Sequence, residues 1–203
     1  MNHQYEPIAD GLATQGYAVF DDFLTPSAVD NILGLESVWL NLNNFKKAGI
    51  GKNKSLQINE SIRGDYIQWV DKSSAAPSLT LYLEKLQQLA GYLNQGLYLS
   101  IKDHEVHLTV YPEGAFYKRH LDQFKNGDHR LLSVICYLNK QWTDADGGQL
   151  RLYTKNGSVD VLPVAGRLVC FRSDQLEHEV LPSTRSRLSL TGWMLDQYKD
   201  VMM

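Results

Sequence analysis

The strongest constraint on the fold is a change of hydrophobic rhythm that begins near residue 105. Val106, Leu108 and Val110 are apolar, and polar or aromatic residues stand between them, so the pattern has a period of two. Successive side chains of a strand point to opposite faces, so this pattern predicts a strand with one buried face. Further strand-like runs follow at 116–122, 131–138, 149–153, 159–162, 167–171 and 187–193. Short strands separated by turn-rich pieces, such as 125–128 and 146–148, predict a double-stranded β-helix, or jelly roll.

The first hundred residues carry helix signals instead. Residues 8–15 predict a short helix that Gly16 ends, and residues 17–20 then predict a strand. Thr25-Pro26 is typical of a helix start, with Thr as N-cap and Pro at the first helical position, and this helix is expected to reach about Leu40. Pro77 begins another helix, whose apolar residues share one face and predict core packing: Leu79, Leu83, Leu86, Ala90 and Leu93.

These signals predict one α+β, mainly β domain over residues 1–203. Its parts are a support region (1–104), with N-terminal helices that buttress one sheet, and a jelly-roll core (105–196). A chain of 203 residues with 43% hydrophobic content can bury such a core without disulfides. Cys136 and Cys170 lie in apolar strand-like runs and are expected to be buried free thiols.

The net charge and the first residues of the sequence limit the partners and the location that we expect for the protein. The net charge is −3, which argues against a nucleic-acid partner. No apolar stretch reaches membrane-spanning length, and the first residues lack the pattern of a signal peptide. A cytoplasmic location is therefore expected. The oligomeric state stays open.

One short motif contains candidate metal ligands. In His120-Leu121-Asp122, the imidazole and the carboxylate stand two positions apart, so a strand would present both on one face. A fold that returns on itself can bring His178, 56 residues after Asp122, to the same point. Two His and one carboxylate are the facial triad of non-haem Fe(II) oxygenases, although the same set also binds other divalent metals. Taken alone, a His-x-Asp pair is more typical of a surface pair.

Arg187 adds an anion site to this motif. It begins an otherwise apolar strand-like run, and a buried guanidinium there would need a carboxylate partner, which it meets with two parallel hydrogen bonds. The distal carboxylate of 2-oxoglutarate is a natural partner, and a solvated strand end is the alternative. Arg185 is expected to be exposed.

At this point the chain resembles prolyl hydroxylases of the type that modify hypoxia-inducible factor, and their bacterial relatives. The resemblance covers about two thirds of the chain. It rests on these pieces: Ile62 to Trp69, Tyr111-Pro112, Tyr117 to Asp122, Asn126-Gly127-Asp128, Tyr137-Leu138-Asn139-Lys140 with Trp142, Gly147 to Arg151, Phe171 to Asp174, His178-Glu179-Val180, and Arg187 with Trp193.

The resemblance implies a ligand set and a reaction. His120, Asp122 and His178 would bind Fe(II), and Arg187 would bind 2-oxoglutarate, which is consumed with O2. Ascorbate is a further cofactor that the family suggests. Residues near the co-substrate would be Tyr137, which would donate a hydrogen bond to its carboxylate, and Tyr111 and Trp193, which would line the pocket. For these three, a role in core packing is the alternative.

The resemblance also suggests a substrate. Arg63 and Asp65 would lie near the loop that covers it, with a surface salt bridge as the alternative. Residues 45–54 are basic and glycine-bearing and predict a loop that closes over a peptide or remains solvated. The expected substrate is a prolyl residue in a protein, with elongation factor Tu as a candidate. The alternatives are a free amino acid or other small molecule, a nucleic-acid demethylase, and a non-catalytic jelly-roll binding module.

Overall fold

The computed structural model describes residues 3–35, 45–49, 58–123 and 129–198. Within these ranges the α-helices are α1 (Glu6–Gln15), α2 (Pro26–Leu33) and α3 (Pro77–Leu97). The strands are β1 (Tyr17–Phe20), β2 (Lys46–Lys47), β3 (Tyr66–Trp69), β4 (Asp103–Tyr111), β5 (Tyr117–His120), β6 (Arg130–Tyr137), β7 (Leu150–Thr154), β8 (Gly157–Val161), β9 (Leu168–Arg172), β10 (His178–Val180) and β11 (Arg187–Leu195).

The strands form two sheets. The larger has the order β1-β9-β6-β11-β4-β3-β2, and the smaller has the order β5-β10-β7-β8. All of the strand pairs in both sheets are antiparallel. This mainly β arrangement is the predicted jelly roll.

The outer face of the larger sheet packs on the helices. Ile8 of α1, Ile32 of α2 and Leu86 of α3 are fully buried in one core with Leu108 of β4 and Leu190 of β11. The predicted apolar face of α3 is confirmed, because all five of its residues are buried in this core. Both cysteines are free and fully buried there, as expected.

The inner face of the larger sheet meets the smaller sheet. Ile135 of β6 and Phe171 of β9 are buried against Leu150 and Leu152 of β7. The predicted alternation of buried faces along β4 is confirmed. Leu108 packs in the core on the helix side, while His107 and Thr109 line a cavity between the sheets. The space between the sheets is therefore apolar at one end and polar at the other.

Element boundaries differ from the predictions in informative ways. The helix α1 begins at Glu6, because Pro7 fits the first helical turn, and ends at Gly16, whose φ of +81° is left-handed. The expectation that α2 reaches Leu40 is wrong, because the helix ends at Leu33; residues 36–40 lie outside the described ranges. Thr25 caps α2 as predicted, accepting a hydrogen bond from the backbone N–H of Ala28.

The predicted strand limits agree with the structure to within two residues. Three strands of the structure were not predicted: β2, β3 and β10, the last of which begins at His178. The turn at 125–128 lies outside the described residues. Among the described helices, none is both long enough and apolar enough to cross a membrane.

Candidate metal centre and active-site cavity

Strand pairing brings the His-x-Asp motif to the second histidine. His120 ends β5 and Asp122 follows it, while His178 begins β10. These two strands are antiparallel neighbours, and His178 stands directly opposite His120. Pairing of β5 with β10 therefore brings Asp122 and His178 together although 55 residues separate them along the chain.

The three side chains form a cluster that can hold a metal ion. One ligand atom from each lies within 4.8 Å of the others. Nε2 of His120 is 3.5 Å from one carboxylate oxygen of Asp122, and Nε2 of His178 is 3.7 Å from the other. Within the described residues this is the one such cluster of His, Cys, Asp and Glu.

Backbone carbonyls set the tautomer of both imidazoles. Nδ1 of His120 is 2.7 Å from the carbonyl oxygen of Lys118, and Nδ1 of His178 is 3.2 Å from that of Leu176. A carbonyl only accepts, so each Nδ1 carries the proton and each Nε2 keeps its lone pair. The lone pairs face the position that a metal would occupy, which is the second-shell arrangement found around ligating histidines.

Protonation states in the cluster favour metal binding. Burial lowers the pKa of His178 to about 4, although the Asp122 carboxylate opposes this effect. Burial would raise the pKa of Asp122, but His178, His120 and the hydroxyl of Ser133 outweigh it and hold this pKa well below its usual value. At neutral pH the cluster therefore offers a neutral His178 and an ionised carboxylate, as a divalent cation requires.

Arg187 has the geometry of an anion site. It is 1% exposed at the start of β11, and its Nε donates to the carbonyl oxygen of Gly148 at 2.9 Å. Its buried Nη2 has no hydrogen-bond partner among the described residues, and neither has the hydroxyl of Tyr137. The guanidinium carbon lies 4.9 Å from the centre of the Tyr137 ring. Two adjacent unpaired donors in a buried site call for an acceptor, and a carboxylate supplies one.

The Gly147-Gly148 pair makes room for this arginine. Gly148 has a φ of +69°, which favours glycine, and an added Cβ would lie 3.2 Å from Cδ of Arg187 and 3.0 Å from Cβ of Ser183. The glycine therefore lets the backbone approach the guanidinium closely enough to accept its hydrogen bond.

A cavity of about 870 Å³ connects these groups. The triad residues, Arg187, Tyr111 and Trp193 all line it, so the two aromatic residues lie where they were predicted. Tyr137 packs in the core between the sheets, and its buried hydroxyl has no hydrogen-bond partner among the described residues. Trp193 packs under the guanidinium of Arg130 at 3.5 Å, and its indole N–H is buried without a described partner.

The cavity also contains the predicted substrate residues. Arg63 and Asp65 line it and form a two-bond ion pair at 2.7 and 2.6 Å. The alternative of a surface salt bridge is wrong, because the side chain of Asp65 is fully buried. The predicted loop at 45–54 is wrong at Lys46 and Lys47, which form β2 and line the cavity, while residues 50–54 lie outside the described ranges. Arg185 is exposed, as expected, and pairs with Asp146.

Sequence reasoning missed three polar residues of the site. Ser133 donates to Asp122, and His107 and Thr109 line the cavity while sharing a hydrogen bond of 2.9 Å. The signal for His107 and Thr109 was present, since they alternate with the apolar residues of β4. Ser133 gave no such signal, because it lies inside an apolar run.

The donor set fits Fe(II). Two imidazole nitrogens and one carboxylate oxygen leave half of an octahedron open, and mixed N/O ligation suits iron. Arg187, which lines the same cavity, offers the second anchor that a dicarboxylate needs.

Comparison with known proteins agrees with this chemistry. The family model of the 2OG-Fe(II) oxygenase superfamily matches residues 106–195. A crystal structure of a Pseudomonas putida prolyl-4-hydroxylase is 41% identical with a TM-score of 0.84, and the match covers 94% of this chain and 98% of that one. A Trichoplax adhaerens prolyl hydroxylase, in complex with a hypoxia-inducible factor peptide, is 29% identical with a TM-score of 0.84, over 94% and 88% of the two chains.

A curated relative matches over part of its length. Human Egl nine homolog 1 is 30% identical over 199 residues, which cover 94% of this chain and 46% of that protein. The chain thus spans about half the length of this relative. These matches confirm the resemblance that the sequence motifs indicate.

Proposed function

Since this chain belongs to the 2OG-Fe(II) oxygenase superfamily, we propose that it is a dioxygenase that hydroxylates a prolyl residue of a protein. The observation that carries the proposal is one cavity lined by both the His120–Asp122–His178 cluster and Arg187, whose unpaired Nη2 lies beside the Tyr137 ring. A binding module has no use for either feature.

Each residue has a role in this proposal. His120, Asp122 and His178 hold Fe(II) through two Nε2 atoms and a carboxylate oxygen. Arg187 and Tyr137 bind the distal carboxylate of 2-oxoglutarate. When bound, iron and 2-oxoglutarate supply the oxidising chemistry, in which one atom of O2 enters succinate as CO2 leaves and the other enters the substrate as a hydroxyl group.

The protein's own contribution is orientation and exclusion of water. Tyr111 and Trp193 wall the cavity beside the cluster, and both are at least nine-tenths buried. Burial raises the pKa of Tyr137, so its phenol stays neutral and remains a hydrogen-bond donor at physiological pH. Charged hydrogen bonds formed away from water are strong, so the site holds a dicarboxylate in one orientation.

A protein substrate is supported by the size and shape of the cavity opening. About 870 Å³ is more than a five-carbon diacid needs, and the rim carries the half-exposed ring of Trp69 and the exposed side chain of Ile58. Exposed apolar groups beside the basic Lys46 and Lys47 suit an extended peptide. Two of the proteins named above, from Pseudomonas putida and Trichoplax adhaerens, are prolyl hydroxylases.

Elongation factor Tu is the substrate that we propose, on the resemblance to bacterial prolyl hydroxylases. A translation factor places the reaction in the cytoplasm, where the two free cysteines would stay reduced. Ascorbate would serve as a reductant that keeps the iron in the ferrous state.

The experiment is succinate release by Fe(II)-loaded protein given 2-oxoglutarate, with and without a proline-bearing peptide from elongation factor Tu. We expect turnover that depends on iron, rises with the peptide and adds one oxygen atom to the proline, as read by mass spectrometry. A peptide with alanine in place of that proline is the control and should not stimulate turnover.

Other outcomes assign other functions. Turnover that the peptide does not stimulate would leave the dioxygenase and replace the substrate, for example by a free amino acid. If His178→Ala binds the peptide as well as the wild type does, and the wild type shows no turnover, the protein is a binding module and the proposal is wrong.

A further inference from the structure

Tyr117 lies between a cation and a metal-ligand candidate. Its ring is stacked on the imidazole of His120, with ring centres 3.6 Å apart and planes inclined by 18°. On the other side, the guanidinium carbon of Arg63 lies 4.2 Å from the centre of the same phenol ring. The three groups therefore form one contact series of guanidinium, phenol and imidazole.

A strand irregularity makes this stack possible. Tyr117 and His120 are three residues apart, and on a regular strand their side chains would point to opposite faces. The pairing of β5 with β10 is shifted, because His120 is opposite His178 while Tyr117 is opposite Val180. Three residues of β5 thus span two of β10, and the extra residue turns Tyr117 to the face that carries His120.

Arg63 is held firmly enough to act as a clamp. Its Nε and Nη2 donate to the two carboxylate oxygens of Asp65, and its Nη1 donates to the carbonyl oxygen of Gly49 at 3.2 Å. Burial would lower the pKa of Arg63, but the hydrogen bonds and charge of Asp65 outweigh it and raise this pKa. All three guanidinium nitrogens of Arg63 thus donate a hydrogen bond, which fixes the group against the Tyr117 ring.

The backbone joins the same two segments. The N–H of Gly64 donates to the carbonyl oxygen of Phe116, and the N–H of Lys118 donates to that of Ile62, each at 2.9 Å. Residues 62–64 therefore extend the smaller sheet beyond β5. An added Cβ on Gly64 would lie 3.2 Å from that of Ala115, so the approach is close.

We infer that Tyr117 is a positioning residue that fixes the ring plane of His120 for metal binding, and that Arg63 holds Tyr117 in that position. The inference rests on the proposed function. The hydrogen bond from Nδ1 of His120 to Lys118 restrains one edge of the imidazole, but the ring can still tilt about that bond. A flat ring stacked on its face removes the tilt, and misplaced ligands cost metal affinity.

The test is titration of the metal-free protein with Co(II), without 2-oxoglutarate or substrate, followed by the visible absorption of the bound ion. Tyr117→Leu removes the ring and keeps an apolar side chain, so we expect Co(II) affinity to fall by about 10-fold or more, with a changed absorption spectrum. Tyr117→Phe keeps the ring and should bind Co(II) as the wild type does.

A matched control exists on the other face of the smaller sheet. The guanidinium carbon of Arg119 lies 3.8 Å from the centre of the Tyr153 ring, and the hydrogen bonds described for these two side chains go to Glu177 and Glu179, not to a ligand residue. Tyr153→Leu removes a similarly clamped tyrosine and should leave Co(II) affinity unchanged. If it weakens Co(II) binding as much as Tyr117→Leu does, the loss reflects the sheet in general and the inference fails.

The remaining outcomes also decide the matter. Unchanged affinity and spectrum in Tyr117→Leu overturn the inference, and so does an equal loss in Tyr117→Phe, because the stack would then not be the cause. If Tyr117→Leu does not fold, Arg63→Lys provides the test, because it keeps the positive charge beside Asp65 but removes the planar guanidinium. We expect Arg63→Lys to weaken Co(II) binding by a smaller factor than Tyr117→Leu would. Unchanged Co(II) affinity in Arg63→Lys would refute the inference that Arg63 holds Tyr117 in position. Failure of the wild type to bind Co(II) and to turn over 2-oxoglutarate with Fe(II) would instead reject the proposed function.

Discussion

The hydroxyl oxygen of Ser133 lies 2.6 Å from Oδ2 of Asp122 and donates its proton to that carboxylate. Because Ser133 has one hydroxyl proton, its 2.9 Å contact with the hydroxyl of Ser173 must run the other way, with Ser173 donating. Ser133 of β6 and Ser173, which directly follows β9, are both buried and thus form a relay that ends on the carboxylate of the triad. The relay leaves the second oxygen, Oδ1, free to face a metal.

Removing the relay should weaken metal binding. In Ser133→Ala the Asp122 carboxylate loses a charged hydrogen bond that fixes its rotation, and outer-shell losses of this kind typically cost 10- to 100-fold in metal affinity. We expect at least about a 10-fold rise in the Co(II) dissociation constant. Ser183→Ala is the matched control, because Ser183 is also buried but donates to the carbonyl oxygen of Arg185, away from the triad. Equal affinities in the two variants would contradict the role of the relay.

Substitutions of Arg187 and of Arg185 should show whether 2-oxoglutarate binding depends on one buried guanidinium or on positive charge at the surface. Arg187→Lys keeps the positive charge but loses the planar donor that stands unpaired beside Tyr137. A hydrogen bond to a charged group contributes about 1.5–3 kcal/mol, so the dissociation constant for 2-oxoglutarate should rise by about 10- to 100-fold. Calorimetry on the Co(II)-loaded protein measures it. Arg185→Lys, at an exposed ion pair with Asp146, should bind 2-oxoglutarate like the wild type, and a loss there would contradict this assignment.

The sequence predicted the parts of the site that depend on local pattern. A period of two placed His120 and Asp122 on one face, and an arginine at the start of an apolar strand predicted a buried guanidinium. These inferences need only the geometry of one strand, which is why they agree with the structure.

The parts that depend on contacts between distant segments could not be predicted. The strand that carries His178 has three residues, too few for alternation, and pairing with β5 and β7 on both sides defines it. Ser133 resembles an ordinary small core residue until β6 lies beside Asp122. Tyr117 stands at odd spacing from His120, and only the extra residue in β5 brings them together. Each of these features arises because strands that are distant in the sequence pair with one another. The pattern within one short stretch of sequence does not show which strands will pair.

Acid should destabilise the metal-free protein through its buried histidines, of which His104 and His107 lie outside the metal cluster. Burial lowers the pKa of His104 and of His107 to about 4, against about 6.5 in an unfolded chain. Between pH 6.5 and 4 the unfolded state therefore binds more protons than the folded state, so stability falls as pH falls through this window. Each histidine contributes up to about 1.4 kcal/mol per pH unit. Urea unfolding at several pH values measures the slope.

His104 allows this contribution to be isolated. Neither of its ring nitrogens has a hydrogen-bond partner among the described residues, and it lies outside the metal cluster. His104→Leu fills the same buried position with an apolar side chain, so we expect a smaller dependence of the free energy of unfolding on pH, by about one proton. A slope equal to that of the wild type would show that His104 is not buried in its neutral form.

Two glycines should respond in opposite ways to the same substitution. Gly192 lies in β11 between β4 and β6, and an added Cβ would stand 2.2 Å from the backbone oxygen of Glu105. Since that atom belongs to a central strand and cannot move aside, Gly192→Ala should cost about 3 kcal/mol or more. It should also weaken Co(II) binding, because β11 pairs with the strand that carries Ser133. Gly91 is exposed inside α3 with nothing within 4 Å of the added Cβ, so Gly91→Ala should stabilise the protein by about 1 kcal/mol, or about 2–4 °C in Tm. Thermal unfolding checks both, and a Gly192→Ala variant as stable as the wild type would mean that β4 and β11 lie further apart than the structure places them.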